Sequence, residues 1–150
     1  EGSRLWSVDT RIAASIPHPV GRIASAPIVR LASSPTGSCL IALTSEGHLE
    51  SCDPRDPFLD SPHSSSRSSL AADLDATAIT FHPSGVLVAT AEAGGIVRLW
   101  LVAEGAEFAR IATTQESIRD VDFALGGTVL VAAGTSGLTF HDLGRLGEAR

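Results

Sequence analysis

Glycines recur in this sequence as pairs ten residues apart, and a short apolar run lies inside each pair. The pairs are Gly37–Gly47, Gly85–Gly95 and Gly127–Gly137, and their runs include CLIAL, VLVATA and TVLVAA. Each run is only five or six residues long, is bounded by turn residues, and lacks the polar alternation of a strand with one wet face. We therefore expect short strands covered on both sides, with turn glycines that permit positive φ.

The distance between the glycine pairs points to the architecture. The first glycines of the pairs are 48 and then 42 residues apart, and a period of about 40–45 residues with several short strands is typical of a propeller blade. The longer first interval contains a Ser/Pro-rich insertion at 54–69. We predict an all-β fold, a β-propeller fragment of about three four-stranded antiparallel blades plus a partial blade.

The repeats also divide the chain. RLWSVD near the start matches RLWLV in the second repeat, so the chain is expected to begin inside a blade. The fourth strand of the last blade would begin only at GRLGEAR, so that blade is predicted either with or without it. The predicted units are the third and fourth strands of a preceding blade (1–16, the fourth near Arg11–Ile16), blade 1 (22–73), blade 2 (74–112) and blade 3 (113–150). In blade 2 the strands are predicted at Thr77–His82, Val86–Ala91, Ile96–Leu101 and Glu107–Ala112.

Composition restricts the partners. The net charge of −6 argues against a nucleic-acid binder and against an anionic membrane surface, because both need excess basic residues. No apolar run approaches the roughly 20 residues that span a bilayer, and no secretory signal opens the chain. Because methionine is absent, we interpret the chain as a piece of a longer polypeptide or a processed form. We also expect the protein to be located inside the cell, in the cytoplasm or nucleus.

The stretch ITFHPSGVLVATAEAGGIVRLW resembles the second half of a repeat of the WD-repeat propeller family, and the resemblance extends to 118–142 and 28–53. The family often ties each blade with hydrogen bonds among a Trp, a Ser or Thr, a His and an Asp. Trp100 and Thr90 fit the first two roles, whereas no His precedes the first strand of blade 2 and its turn, EAGG, has no Asp. Cys52 stands in the Trp place of blade 1, and His141 with Asp142 stands near it in blade 3. We expect apolar packing to replace much of this network.

Motifs for chemistry are not found. The five histidines have no zinc-binding spacing, and the sequence has neither a phosphate-binding loop nor a Gly-x-Ser-x-Gly elbow. We therefore predict no catalytic residue, metal or cofactor. The histidines are His18, His48, His63, His82 and His141.

The two cysteines lie in one predicted hairpin. With its turn centred on the Ser45–Glu46 peptide, Cys39 and Cys52 would face each other near disulfide distance. The alternative, two reduced core thiols in a cytosolic protein, is the interpretation we favour.

The predicted function is a non-catalytic scaffold for protein–protein interaction, in which partners dock on rims and turns. Glu46 and Glu92 are expected to be exposed turn acids at equivalent places in two blades, which would suit a basic partner. Phe58, in the insertion, either anchors in a partner or folds back on its own blade. The missing blades would come from the parent chain, a second copy or another subunit. The rival functions are a structural subunit that completes a propeller and a propeller enzyme or ligand-binding lectin.

Overall fold

The secondary structure of the described residues is almost entirely β. The computed structural model describes residues 3–7, 18–24, 26–56 and 68–144. A short 3₁₀ turn, Leu125–Gly127, interrupts the strands, and no helix in these ranges is long and apolar enough to cross a membrane. The strands are β1 (Ser3–Ser7), β2 (His18–Ala24), β3 (Ile28–Ser33), β4 (Leu40–Thr44), β5 (Leu49–Cys52), β6 (Ser68–Ala71), β7 (Ala76–Phe81), β8 (Leu87–Glu92), β9 (Ile96–Leu101), β10 (Ala106–Ala112), β11 (Ile118–Ala124), β12 (Val129–Gly134) and β13 (Gly137–Asp142).

These strands form antiparallel sheets that follow the sequence order. Blade 1 is β3-β4-β5-β6, blade 2 is β7-β8-β9-β10, blade 3 is β11-β12-β13, and β1-β2 form a separate pair. The first strand of blade 2 contacts the first strands of blades 1 and 3. First strands that meet while the sheets stack face to face are the arrangement of propeller blades around an axis. The structure confirms the predicted all-β propeller fragment.

Two apolar clusters hold the blades together. The cluster between blades 1 and 2 includes Leu43, Leu49, Val88 and Trp100, and the cluster between blades 2 and 3 is built on strands β7, β8, β9, β11 and β12. From Val88 to Glu92 every residue of β8 is buried, as expected for a strand covered on both faces. Each blade is therefore stabilised mainly by its neighbours.

The hairpin after β4 corrects the predicted register of the cysteines. Gly47 N donates to Thr44 O at 3.0 Å with Gly47 at φ 77°, which adds one residue to the turn that the sequence analysis assumed. Cys52 consequently lies opposite Leu40, not Cys39. Both cysteines are free thiols. Burial, together with the nearby Asp53 charge, raises the pKa of the Cys39 thiol.

The partial sheet and blade 3 refine the predicted boundaries. The strand that pairs with β1 is His18–Ala24, so the change to blade 1 falls between Ala24 and Ile28. The predicted strand near Arg11–Ile16 lies outside the described residues. In blade 3 the described residues hold three strands, and the structure does not describe 145–150, where a fourth would begin.

Candidate interaction surfaces

The two turn acids occupy different environments. Glu46 is exposed in the β4–β5 turn, directly before Gly47. Glu92 is only 8% exposed and starts the turn that Gly95 closes. The residue of blade 1 equivalent to Glu92 is Thr44, because each accepts the turn hydrogen bond from its glycine. The expectation that Glu46 and Glu92 are equivalent exposed acids is therefore wrong, since Glu92 lies three residues before its glycine and Glu46 one.

Glu92 belongs to a row of ion pairs across blade 2. Arg98 Nε lies 2.5 Å from Glu92 Oε1, although the N–H is not aimed at that oxygen, so the contact is a charge pair rather than an aligned hydrogen bond. Arg98 also lies 3.4 Å from Glu107, which accepts two hydrogen bonds of 3.1 Å from Arg110. The Arg110 hydrogen bonds, with some help from Arg98, lower the pKa of Glu107. Glu92 is thus occupied inside the blade.

The insertion is described only at its ends. Phe58 lies outside the described residues, and its prediction stays untested. At the start of the insertion, Arg55 donates hydrogen bonds of 3.0 Å to both Asp53 carboxylate oxygens. These hydrogen bonds hold the pKa of Asp53 below its ordinary value. Both side chains are at the surface, so this pair adds little stability.

Trp100 and Thr90 meet inside blade 2. The indole Nε1–H donates to Thr90 Oγ1 at 2.9 Å, and Thr90 is fully buried. In blade 3, His141 lies opposite Leu130 as Trp100 lies opposite Val88. The residue equivalent to Thr90 there is Ala132, which offers no hydroxyl. Within the described part of the chain, the buried Nε2 of His141 has no hydrogen-bond partner.

Gln115 was missed by the sequence analysis. It is 4% exposed in the loop before β11, where its Oε1 accepts from Ser136 N at 3.0 Å and its Nε2 donates to Thr139 Oγ1 at 2.9 Å. It therefore ties the entry loop of blade 3 to the β12–β13 hairpin, a link that the family resemblance assigned to a His and an Asp. The sequence does show a polar residue ahead of this first strand. Gln115 was not predicted because the family resemblance calls for a His at that place.

His82 connects blades 2 and 3. Its Nδ1 accepts from Ser84 N at 3.0 Å, which places the proton on Nε2 in the neutral ring, and Nε2 then donates to Gly127 O at 3.1 Å. The ring also packs edge-on against Phe123, with centroids 4.9 Å apart. An added Cβ on Gly127, at φ 96°, would overlap the imidazole. Gly127 is thus required both by its backbone and by this close approach.

A cleft of about 310 Å³ opens beside His82 at the junction of blades 2 and 3. Its walls are mostly apolar. The lining residues are His82, Leu87, Leu99, Phe108, Gly126, Gly127, Thr128, Leu143 and Gly144.

Within the described part of the chain, one face of blade 3 exposes large apolar side chains. Leu138 and Phe140, opposite Ala133 and Val131, are 63% and 65% exposed. The equivalent pairs of blade 2, Ala91 with Val97 and Ala89 with Leu99, are fully buried against blade 3. We call this surface the outer face of blade 3. A shallower groove of about 170 Å³ on it is bordered by Asp120 and Asp122.

The described residues contain no group of three or more His, Cys, Asp or Glu side chains placed to hold a metal ion. His48, His82 and His141 lie in different elements. His63 lies outside the described residues.

Fold and repeat define a β-propeller, and solved structures agree. The chain resembles the β-propeller domain of Cps50 (Swd1) from Myceliophteria thermophila, with a TM-score of 0.64, 14% identity, and coverage of 81% of this chain and 37% of that one. It also resembles hydrazine synthase from Kuenenia stuttgartiensis, with a TM-score of 0.66, 16% identity, and coverage of 82% of this chain and 35% of that one. The chain thus spans little more than a third of either. No family model matches the sequence, and no curated protein does.

Proposed function

We propose that the chain is a non-catalytic scaffold for protein–protein interaction, part of a WD-repeat-like propeller within a larger protein or complex. One observation carries this proposal: the outer face of blade 3 exposes Leu138 and Phe140 where blade 2 buries its equivalents. Large apolar side chains grouped on one sheet face favour contact with another protein surface. That surface is supplied by further blades of the parent chain, a second copy or another subunit.

The partner that the scaffold presents or binds is proposed to be basic and to act inside the cell, in the cytoplasm or nucleus. Glu46 supports this on the turn side, Asp120 and Asp122 support it on the outer face, and the whole chain carries a charge of −6. Complementary charge accelerates association and selects partners. The likeness to hydrazine synthase, at 16% identity, carries the fold alone.

Sedimentation velocity over a range of concentrations tests the proposal. We expect the full chain to associate, and Phe140→Ser to weaken this association because it removes apolar area from the outer face. Leu125→Ser is the control, since Leu125 is 78% exposed in the 3₁₀ turn and does not line the groove on that face. A stable monomer at all concentrations, unchanged by Phe140→Ser, that also co-purifies with no protein partner would contradict the proposal.

A purely structural subunit is the second candidate, and the same outer face favours it. Co-purification separates the two. A stoichiometric subunit that cannot be removed without aggregation indicates the structural role, whereas a stable free protein with a salt-sensitive partner indicates the scaffold.

A further inference from the structure

The junctions of blades 1 and 2 and of blades 2 and 3 hold different rings at equivalent positions. Trp100, 6% exposed, packs in the cluster that closes the junction of blades 1 and 2. The equivalent position of blade 3 holds His141, whose ring is smaller than an indole. The cleft lies at the junction of blades 2 and 3, where Leu143 lines it.

The cleft offers two kinds of wall. Leu87, Phe108 and Leu143, each half-buried, supply apolar surface from blades 2 and 3. The turn residue Gly126, where an added Cβ would meet nothing within 4 Å, permits close approach of another main chain, whereas Gly127 is buried against His82. A volume of about 310 Å³ is at the lower limit of ligand sites, and it fits one large side chain with part of its backbone.

Charge distinguishes the edge of the cleft. Asp142 is exposed beside it, and its Oδ1 accepts a hydrogen bond of 2.9 Å from Gly144 N, a lining residue. His82, on the wall, uses both ring nitrogens for hydrogen bonds within the protein. The edge at Asp142 therefore favours a cationic neighbour, in keeping with the net charge of −6.

We propose that this cleft binds a leucine- or phenylalanine-sized side chain of an extended peptide segment in the partner, with an adjacent arginine or lysine against Asp142. The inference rests on the proposed scaffold function and assigns it a specific site. Burying the apolar side chain supplies most of the affinity, because an exposed ion pair contributes less than the burial of a large apolar side chain.

Short peptides test the site by two-dimensional ¹H–¹⁵N NMR titration of the full chain. The probe is acetyl-Gly-Arg-Leu-Arg-Gly-amide, and the matched probe has glycine in place of leucine. We expect the first to shift the amide resonances of Gly126, Gly127 and Gly144, and to bind at least about tenfold more tightly than the second. A third probe, with glutamates in place of arginines, should bind more weakly, and the difference should shrink with added salt.

Variants locate the binding. Thr128→Phe places a ring at the exposed edge of the cleft and should abolish the shifts. Leu125→Ala, in the same turn but outside the cleft lining, should leave binding unchanged. Asp142→Asn should lower the affinity about two- to fivefold at low salt.

The outcomes separate this inference from the scaffold function. Equal affinity for the leucine and glycine probes overturns the cleft, as does a Thr128→Phe protein that is folded and still binds. Shifts confined to the turn around Glu46 also overturn the cleft while leaving the scaffold proposal standing. Loss of self-association in Phe140→Ser would concern the outer face of blade 3 and would not test the cleft.

Discussion

At the residue scale, Trp100 and His141 occupy equivalent positions but differ in one hydrogen bond. The ring N–H of Trp100 donates to Thr90, whereas Nε2 of His141 has no partner in the described ranges. Trp100→Phe keeps a large ring but leaves the buried Thr90 hydroxyl without its 2.9 Å donor. We expect it to lower the free energy of unfolding by about 1–3 kcal/mol. The matched change, His141→Leu, removes a buried Nε2 that has no partner in the described ranges, and should be neutral or stabilising. Urea unfolding measures both; equal losses would show that packing alone decides.

Gly127 provides a second residue-scale prediction. Gly126 and Gly127 both have positive φ, 68° and 96°, but only at Gly127 would a Cβ overlap the His82 ring. Gly127→Ala should therefore destabilise the protein by about 1–3 kcal/mol more than Gly126→Ala. Adding His82→Ala to Gly127→Ala should recover part of the excess, because it removes the overlapping ring. A thermal denaturation series of these variants checks this, and additive losses would exclude the overlap.

At the element scale, much of the fold could be predicted because glycine turns and apolar runs report local geometry. The third strand of blade 2 begins and ends where predicted, at Ile96 and Leu101. The first two strands of that blade are shifted by one residue, and the fourth begins one residue earlier than predicted and ends where predicted. The register of Cys39 could not be predicted. One extra residue in a turn moves every opposed pair, and the sequence does not show whether two or three residues turn.

The candidate site was harder to predict than the fold. In the sequence, Glu92 is an acidic residue beside a turn, which predicts an exposed side chain. It is buried in the structure, where its charge is paired with Arg98 on the neighbouring strand of the hairpin. The outer face of blade 3 and the cleft arise from packing between blades, which no single repeat encodes. The position of Gln115 before a first strand could be recognised in the sequence. Its partners Ser136 and Thr139 could not be predicted, because they lie more than twenty residues away.

The Glu107 ion pairs predict an acid-dependent stabilisation of β10, chiefly through Arg110 on the same strand. Arg110 holds the pKa of Glu107 below its usual value near 4.5. A carboxylate with a lowered pKa stabilises the fold above that value and loses this contribution as the pH falls through the lowered pKa. Glu107→Gln should cost less than about 1 kcal/mol at pH 7, since the pair is partly exposed, and nothing near pH 2. Urea unfolding at the two pH values measures the difference; a cost independent of pH would assign the effect to packing.

At the scale of the whole molecule, each blade contacts chiefly its neighbours, so stability should vary along the chain. Both interblade clusters include residues of blade 2, but no residue belongs to both clusters. In such quasi-one-dimensional proteins, the loss of one interface uncouples the terminal unit first.

Two core leucines test this arrangement. Leu130 is fully buried in the cluster between blades 2 and 3, and Leu43, 1% exposed, lies in the cluster between blades 1 and 2. Leucine-to-alanine changes at such sites cost about 2–5 kcal/mol. In native-state hydrogen exchange, Leu130→Ala should accelerate the amides of β11–β13 while those of blade 1 stay protected. Leu43→Ala should instead weaken the coupling between blade 1 and the pair formed by blades 2 and 3. If Leu130→Ala accelerated exchange equally in every strand, the blades would unfold as one cooperative unit and the neighbour-by-neighbour description would fail.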